Sequence, residues 1–321
     1  MRICVIMGGF SSERAVSLKT GKAMVEALKG LDYEVSEFII DKKEDVFNIP
    51  EMDFALLALH GNFGEDGSIQ NYLELKDIAY SGCNAVSSAL CMDKNLTKKV
   101  LKASGIPVAN WVTVRDLSEK SLKKAYALKY PVFVKPNSGG SSVATFKVEN
   151  INQLKSAIEE ALKWDVEVMI EEFIKGDEIT CPMIDGKVLP VIKIDAKGEF
   201  FDSDSKYSKN GAREYAICFN DDMQKRINEI CATTWNALGC EVYSRIDIIM
   251  NGNDIKVLEV NTLPGLTQAS LFPKSAKAYG MSLTNLLDTI INLSIEKRKY
   301  IKNRKEVFLE MENRFGMSQN S

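Results

Sequence analysis

Two short stretches carry side chains suited to chemistry on a negatively charged substrate. SRIDIIM, residues 244–250, places Arg245 and Asp247 two apart, and VLEVNTLPGLTQAS, residues 257–270, does the same with Glu259 and Asn261. Both are apolar, strand-like runs, so each pair shares one face. The NGND turn joins them into a hairpin. A loop of odd length would set Asp247 opposite Glu259 and Arg245 opposite Asn261. Three hard oxygen donors would then meet beside a guanidinium. Such a set suits Mg²⁺, which takes few protein ligands and leaves room for water and phosphate oxygens. Arg245 would stabilise charge developing on a transferring phosphoryl group or an oxyanion. The same spacing also fits a solvated hairpin face with cross-strand ion pairs. Pro264-Gly265 then makes a tight turn whose N–H groups suit an anion hole. Ser270 follows where it would donate to a carboxylate; a plain connecting turn is the alternative.

A second candidate site lies in VFVKPNSGGSSVATF, residues 132–146. Gly139, Gly140, Ser141 and Ser142 form a loop whose backbone can approach phosphate closely. Lys135, at the end of the preceding apolar strand, would reach the inner phosphates, and Lys94 would assist; a lone lysine such as Lys94 is more often a solvated charge. The loop does not match GxxxxGK[ST], which argues against a P-loop ATPase. EEFIKGDE, residues 171–178, suits an adenine site on a hinge. Backbone groups of Phe173 and Ile174 would read the base and Glu178 would hold the ribose, the alternative being a strand with a polar loop. His60, in LALHGNFGEDG, is the single histidine. It stands at the carboxyl end of a strand, where open α/β sheets bind ligands, although a lone histidine is more often structural.

The elements that must position these groups begin with a βαβ pattern. RICVIM, YEVSEFII and FALLALHG read as strands, SERAVSLKTGKAMVEALKG and SIQNYLELKD as helices. This order implies a parallel sheet covered by helices, with the Gly-rich turn MGGFSSER between its first strand and first helix. MDKNLTKKVLKASGI reads as one helix stopped by Gly105 and Pro107. Further strands surround the glycine loop, and helices are expected over about 152–163 and 222–238. The tail KRKYIKNRKEVFLEMENRF, basic first and acidic later, reads as an exposed, solvated helix.

Bulk properties narrow the class. The 321 residues are 45% hydrophobic and 26% charged, enough for two or three soluble domains. A net charge of -3 gives no case for a nucleic-acid partner. There is no apolar run of transmembrane length, and Arg2 leads straight into a strand, so a cytoplasmic protein is expected. Seven cysteines without a CxxC fit neither a disulfide framework nor a zinc site.

Taken together, MGGFSSERAVS, ALHGNFGEDGSIQ, YSGCNAVSSALCMDK, VKPNSGGSSV, MIEEFIKGDEIT, SDSKYS, SRIDIIM and LEVNTLPGLTQASLFP resemble the D-alanine–D-alanine ligase family of the ATP-grasp superfamily. The resemblance runs in order from about residue 1 to 295. It implies an α/β ATP-grasp protein of three domains. These are a Rossmann-like parallel-sheet domain over 1–90, a central subdomain with the phosphate loop over 91–175, and a C-terminal subdomain with lid and metal site over 176–297, before a charged tail over 298–321. It also implies the activity: ATP phosphorylates the carboxylate of one D-alanine, and the amine of a second attacks the acyl phosphate, feeding peptidoglycan synthesis.

The same resemblance implies roles by position. Glu13 would hold the first D-alanine's ammonium, with Ser141 and Tyr207 completing a Glu-Ser-Tyr link that closes the lid and His60 near that substrate. Lys94, Lys135, Ser142, Glu171, Phe173, Ile174, Glu178 and Lys206 would bind ATP. Asp247, Glu259 and Asn261 would bind two Mg²⁺, with Mn²⁺ and a monovalent cation as further candidates. Arg245 and the Gly265 backbone would stabilise the tetrahedral intermediate, and Ser270 and Leu271 would hold the second substrate's carboxylate. D-alanine and ATP are the implied partners, with no membrane, in a homodimer. Three positions depart from the family pattern: Glu172 where Lys is frequent, Ala144 where Gly is usual, and a lid reading FDSDSKYSKNGAREYAICF. The alternatives are an ATP-grasp ligase with D-lactate, D-serine or another amino acid as acceptor, and an ATP-binding regulator without chemistry. Tyr207 argues against D-lactate, where Phe would be expected. A nicotinamide dehydrogenase ranks behind these, because the first glycine turn lacks GxGxxG.

Overall fold

The computed structural model describes residues 1–141, 143–196 and 212–314. Ser142, Lys206, Tyr207 and most of the lid lie outside the described residues. The apolar runs of the first segment become the parallel strands β1 (Arg2–Gly8), β2 (Glu34–Ile40), β3 (Phe54–Leu57) and β4 (Ala79–Tyr80), in the order β2-β1-β3-β4. Near-continuous apolar sequence is what a parallel strand covered on both faces requires. Helix α1 (Arg14–Leu28) packs so closely on β1 that a Cβ at Gly21 would meet Met7 at 2.7 Å. Gly8, at φ +92°, turns the chain from β1 toward α1, and a side chain there would strike the Ile40 carbonyl at 2.5 Å. Glu13 is thereby fixed at the residue that precedes α1. Helix α2 (Ser68–Leu75) follows the His60 loop.

The stretch expected as one helix from Met92 is divided. Helix α3 (Ala85–Met92) ends at Asp93, and α4 (Lys94–Ala103) begins immediately after it. Asp93 leaves helical geometry and its carboxylate accepts the Leu96 N–H, an N-cap that restarts the helix. The break turns Lys94 toward the glycine loop.

The central sheet is antiparallel, built from β5 (Trp111–Val114), β6 (Val132–Pro136), β7 (Phe146–Val148) and β8 (Val168–Glu172) in the order β5-β8-β6-β7. Helices α5 (Glu119–Tyr126) and α6 (Ile151–Ala161) bury Leu122, Leu154 and Ile158 against Val132, Val134 and Ile170. The third sheet runs β12-β11-β9-β13-β14, from β9 (Asp177–Ile184), β11 (Ile192–Ala196), β12 (Ala212–Ala216), β13 (Tyr243–Asn251) and β14 (Asp254–Asn261), with the short β10 (Lys187–Val188) beside β9. Helix α7 (Asp221–Ala237) covers it, and α4 adds Leu101 to the same core.

After β14 the chain returns to the first domain. Phe272 and Ala276 of α8 (Leu271–Ala278) and Leu286, Leu287, Ile290 and Ile291 of α9 (Leu283–Arg314) complete the core around β1 and β3. The tail is a continuation of α9 rather than a separate helix. Of its first basic residues Lys297 and Lys299 are exposed, as expected, but Arg298 is not. Arg298 is largely buried, donating to Glu241 at 3.0 Å and to the Gly82 carbonyl at 3.0 Å, with its guanidinium 4.1 Å from the Tyr80 ring centroid. A planar cation that forks and stacks suits such a junction better than open solvent.

Candidate active site

The hairpin has the register that an odd loop demands. Arg245 lies opposite Asn261 and Asp247 opposite Glu259, and a bulge follows Asp247 directly. Strand alternation puts all four on one face, and the bulge ends the regular ladder beyond them. Arg245 grips Asp247 as a fork, Nε to Oδ1 at 2.9 Å and Nη2 to Oδ2 at 2.7 Å. Thr180 of β9 donates to the same carboxylate at 2.6 Å. Burial works against the Arg245 charge. Asp247 first, then Glu259 and Glu65, outweigh it and hold the guanidinium above its ordinary pKa.

Glu259 faces the central domain, with its carboxylate 3.7 Å from Lys94 Nζ. Lys94 Nζ also donates to the Gly139 carbonyl, so the lysine bridges hairpin and glycine loop. That loop is anchored from several sides. Asn137, nearly wholly buried, accepts the Asn95 N–H at 2.9 Å and donates to Asp93 at 2.9 Å, and Ser138 N–H donates to Asp165 at 2.7 Å. Its tip reaches the first domain, where Ser141 Oγ donates to Glu13 Oε1. A Cβ at Gly140 would lie 2.6 Å from Glu13 Oε2, so a side chain there would displace the carboxylate.

A buried lysine–glutamate–lysine group backs the cavity. Lys135 Nζ donates to Glu171 Oε2 at 2.7 Å, and Lys98, fully enclosed, forms an ion pair with the other oxygen. Burial alone would raise the Glu171 carboxyl; Lys135 and then Lys98 reverse this and bring it to about 2. Burial lowers Lys98, while for Lys135 the charge of Glu171 overcomes burial and raises it. Lys98 is four residues from Lys94 on α4, one turn along the same face. That spacing was the available signal for its place here.

A cavity of about 360 Å³ runs between the central and third sheets. It gathers Lys94, Lys135, Ser141, Glu171, Phe173, Ile174, Glu178, Arg245, Asp247, Glu259 and Leu271 from six separate stretches of sequence. Phe173 N–H already donates to the Pro131 carbonyl at 3.0 Å, so that donor is spent within the hinge. His60 stands apart from the cavity lining. It is buried against Thr20, Nε2 to Oγ1 at 3.1 Å, and burial lowers its pKa, which keeps the imidazole neutral. Gly265 and Ser270 are neighbours, since a Cβ on the glycine would lie 3.0 Å from Ser270 Oγ. Ser270 Oγ shares a 2.8 Å hydrogen bond with Thr267 and leads into α8.

Asp247, Glu259 and Asn261 offer two carboxylates and an amide oxygen on one face, the hard donors that Mg²⁺ prefers. Among the described residues no group of three or more His, Cys, Asp or Glu encloses a metal by itself. Two carboxylates and an amide oxygen suit a cation whose remaining ligands are phosphate oxygens and water.

Comparison with known proteins decides the family. A family model described as the D-ala D-ala ligase C-terminus matches residues 100–292, and one described as the D-ala D-ala ligase N-terminus matches residues 44–83. A D-alanine–D-alanine ligase of Clostridium perfringens is 51% identical over 297 residues, covering 92% of this chain and 99% of the relative. The chain belongs to the D-alanine–D-alanine ligase family. A solved D-alanine–D-alanine ligase from Bacillus anthracis, complexed with ATP, superposes with a TM-score of 0.81 at 41% identity, covering 94% of this chain and 99% of that one. The VanG D-Ala:D-Ser ligase from Enterococcus faecalis gives a TM-score of 0.81 at 32% identity, covering 91% and 99%. The α/β fold, with its parallel first sheet and antiparallel sheets elsewhere, is thus ATP-grasp.

Within this family two departures acquire a structural reading. The Glu172 carboxylate is tied to Asn110 Nδ2 at 2.9 Å and to the Lys129 N–H at 2.9 Å. The carboxylate is therefore tied at the end of β8, an interior strand, beside the cavity. Ala144 adopts φ +52°, a left-handed conformation in which glycine is at ease.

Proposed function

We infer that this chain is an ATP-dependent ligase that joins two D-alanines into D-alanyl-D-alanine for peptidoglycan precursor synthesis, through a D-alanyl phosphate. The observation that carries the reading is the hairpin register, which sets Arg245, Asp247, Glu259 and Asn261 on one face beside Lys94 and Lys135. A carboxylate becomes a usable electrophile once its oxygen carries the γ-phosphoryl group. The amine of the second D-alanine then attacks the carbonyl carbon and loses a proton, and phosphate departs from the tetrahedral centre. Most of the work in such a sequence is positioning and charge stabilisation.

Each part of this chain takes one share. Glu13 binds the first D-alanine's ammonium, with His60 nearby. Lys94, Lys135 and the glycine loop through Ser142 hold the phosphates, joined by Lys206. Glu171, Phe173 and Ile174 bound the adenine, and Glu178 holds the ribose. Asp247, Glu259 and Asn261 would hold Mg²⁺, two ions with Mn²⁺ as a substitute, which neutralises phosphate charge when bound. Arg245 and the Gly265 backbone stabilise the tetrahedral oxyanion, and Ser270 and Leu271 seat the second carboxylate. Tyr207 completes the Glu13–Ser141 link from the lid. A three-domain division at about 90 and 175, a homodimer and a cytoplasmic location belong to the same reading; among the described residues no helix is long and apolar enough to cross a membrane.

The test is ADP release with Mg²⁺-ATP in five arms: no amino acid, D-alanine, L-alanine, and D-alanine with D-serine or with D-lactate. Products are identified by mass. D-alanine-dependent release with D-alanyl-D-alanine as product is expected. A mixed product exceeding D-alanyl-D-alanine would reassign the acceptor, and ATP binding without turnover would leave a regulator.

A further inference from the structure

Glu65 is a buried carboxyl that the reaction scheme above does not use. It is 9% exposed, and its Oε2 accepts the Gly61 N–H at 2.6 Å. The Gly61 carbonyl in turn accepts the Glu65 N–H at 2.9 Å and the Gly64 N–H at 3.1 Å. The turn is thus closed from both sides, and Glu65 supplies one of the closures. What this turn touches is the first substrate's site. Ser11 Oγ donates to the His60 carbonyl at 2.7 Å and accepts the Glu13 N–H at 3.2 Å. A Cβ at Gly61 would lie 2.9 Å from Glu13 Oε2 and 3.2 Å from Ser11 Oγ, so the Gly61 backbone is the surface on which the Glu13 carboxylate rests.

We propose that Glu65 is a positioning residue for the first D-alanine: through the His60–Gly61 turn and Ser11 it sets the Glu13 carboxylate that receives the substrate's ammonium. It does not touch substrate itself. The inference rests on reading Glu13 as the ammonium site.

The charge state of Glu65 agrees with this role. Burial raises its pKa to about 8, with Glu13 adding to the rise and the Gly61 N–H and Arg245 opposing it. Glu259 from β14 also faces it, and Tyr243 of β13 is influenced by it. At neutral pH Glu65 is therefore held mostly in its uncharged form. Ionisation above about pH 8 places a negative charge near Glu13 and repels that carboxylate from its seat.

The test is steady-state kinetics of the full-length enzyme for Glu65→Ala, Glu65→Asp and Glu65→Gln, with Glu13→Ala measured beside them. Glu65→Ala loses the Gly61 contact, and Glu65→Asp retracts it by one methylene. Both are expected to raise the first-substrate KM about tenfold or more, with kcat and the KM for ATP changed little. Glu65→Gln keeps an acceptor at the same reach and stays neutral. It should restore KM to near wild type and lack the wild-type fall in first-substrate kcat/KM above about pH 8. If Ala does not fold, Asp against Gln carries the comparison. An unchanged first-substrate KM in Ala and Asp overturns the proposal, as does Gln failing alongside them or keeping the alkaline fall. If Glu13→Ala also leaves that KM unchanged, the ammonium site itself is misplaced; if Glu13→Ala alone raises it, the positioning role fails by itself.

Discussion

Ser141 and Glu13, 128 positions apart, are joined by a hydrogen bond from the serine hydroxyl to the carboxylate. The bond ties the glycine loop to the first domain. On the proposed assignment of Glu13 to the amino acid and of the loop to ATP, it would couple the two halves of the reaction. Removing it with Ser141→Ala forfeits a charge-assisted bond worth about 1.5–3 kcal/mol. Since the contact lies in the site and not in a core, the loss should fall on catalysis. First-substrate kcat/KM is expected to drop roughly tenfold to a hundredfold, while the thermal midpoint stays within about 2 °C. Unchanged kcat/KM would mean that the loop closes without this link.

Arg245 makes a different prediction. Its fork holds Asp247 by both oxygens, at 2.9 and 2.7 Å. Lysine keeps the charge but has no planar pair of donors. Arg245→Lys should therefore keep Asp247 partnered, through Thr180 and the new ammonium, and leave the fold intact. Its reach toward a tetrahedral oxyanion is shortened, and kcat is expected to fall about a hundredfold. Single-turnover ADP formation and dipeptide formation, measured separately, locate the loss. A variant within threefold of wild type in both steps would remove Arg245 from the chemistry.

How these residues came together was legible in the sequence only where the chain itself sets the geometry. The hairpin could be read because strand alternation has period two and one turn fixes the register of Arg245, Asp247, Glu259 and Asn261. The parallel first sheet was legible for a similar reason, since its apolar runs alternate with helical stretches. Asp93 was not legible as a break: within MDKNLTKK it reads as one polar residue of a helix, and the Asn137 side chain that also binds its carboxylate comes from the distant glycine loop. Lys98 and Glu65 were hidden more deeply. The lysine became buried because Glu171 arrived beside it from β8, whereas Glu65 is enclosed by its own turn, whose Gly61 stands four positions earlier. Arg298 belongs to the same class as Lys98, its partner Glu241 being 57 positions away.

The buried Glu171 fixes a sign for acid stability. Its carboxyl is lowered from 4.5 to about 2 by Lys135 and Lys98, against burial. A depressed pKa contributes stability that is fully present above the unfolded value and is lost as pH falls toward the folded one. Native stability should therefore decline between about pH 5 and pH 2, with Glu171 contributing to the slope. Glu171→Gln leaves two enclosed lysines without their counter-charge, and at pH 7 should cost about 3–5 kcal/mol. The same variant should lose less further stability on acidification than wild type. Urea midpoints at pH 7, 4 and 3 check both statements; parallel acid profiles would show that Glu171 does not carry this part of the titration.

Ala144 tests whether the phosphate loop bears strain. At φ +52° an L-residue with a Cβ costs about 1–2 kcal/mol relative to right-handed backbone. Glycine removes that cost but loses about 0.5–1 kcal/mol in chain entropy. Ala144→Gly is therefore expected to leave stability within about 1 kcal/mol of wild type or slightly above it. Valine adds a branch at Cβ where the backbone already crowds it, so Ala144→Val should destabilise by roughly 1–3 kcal/mol. It should also raise the KM for ATP, because the nest of N–H groups at Gly139 to Ser141 is held in part by the Val143 N–H donating to the Gly140 carbonyl at 3.1 Å. Equal stability and equal ATP KM for the glycine and valine variants would mean that the loop relaxes out of the left-handed turn at no cost, and that Ala144 imposes no stiffness on it.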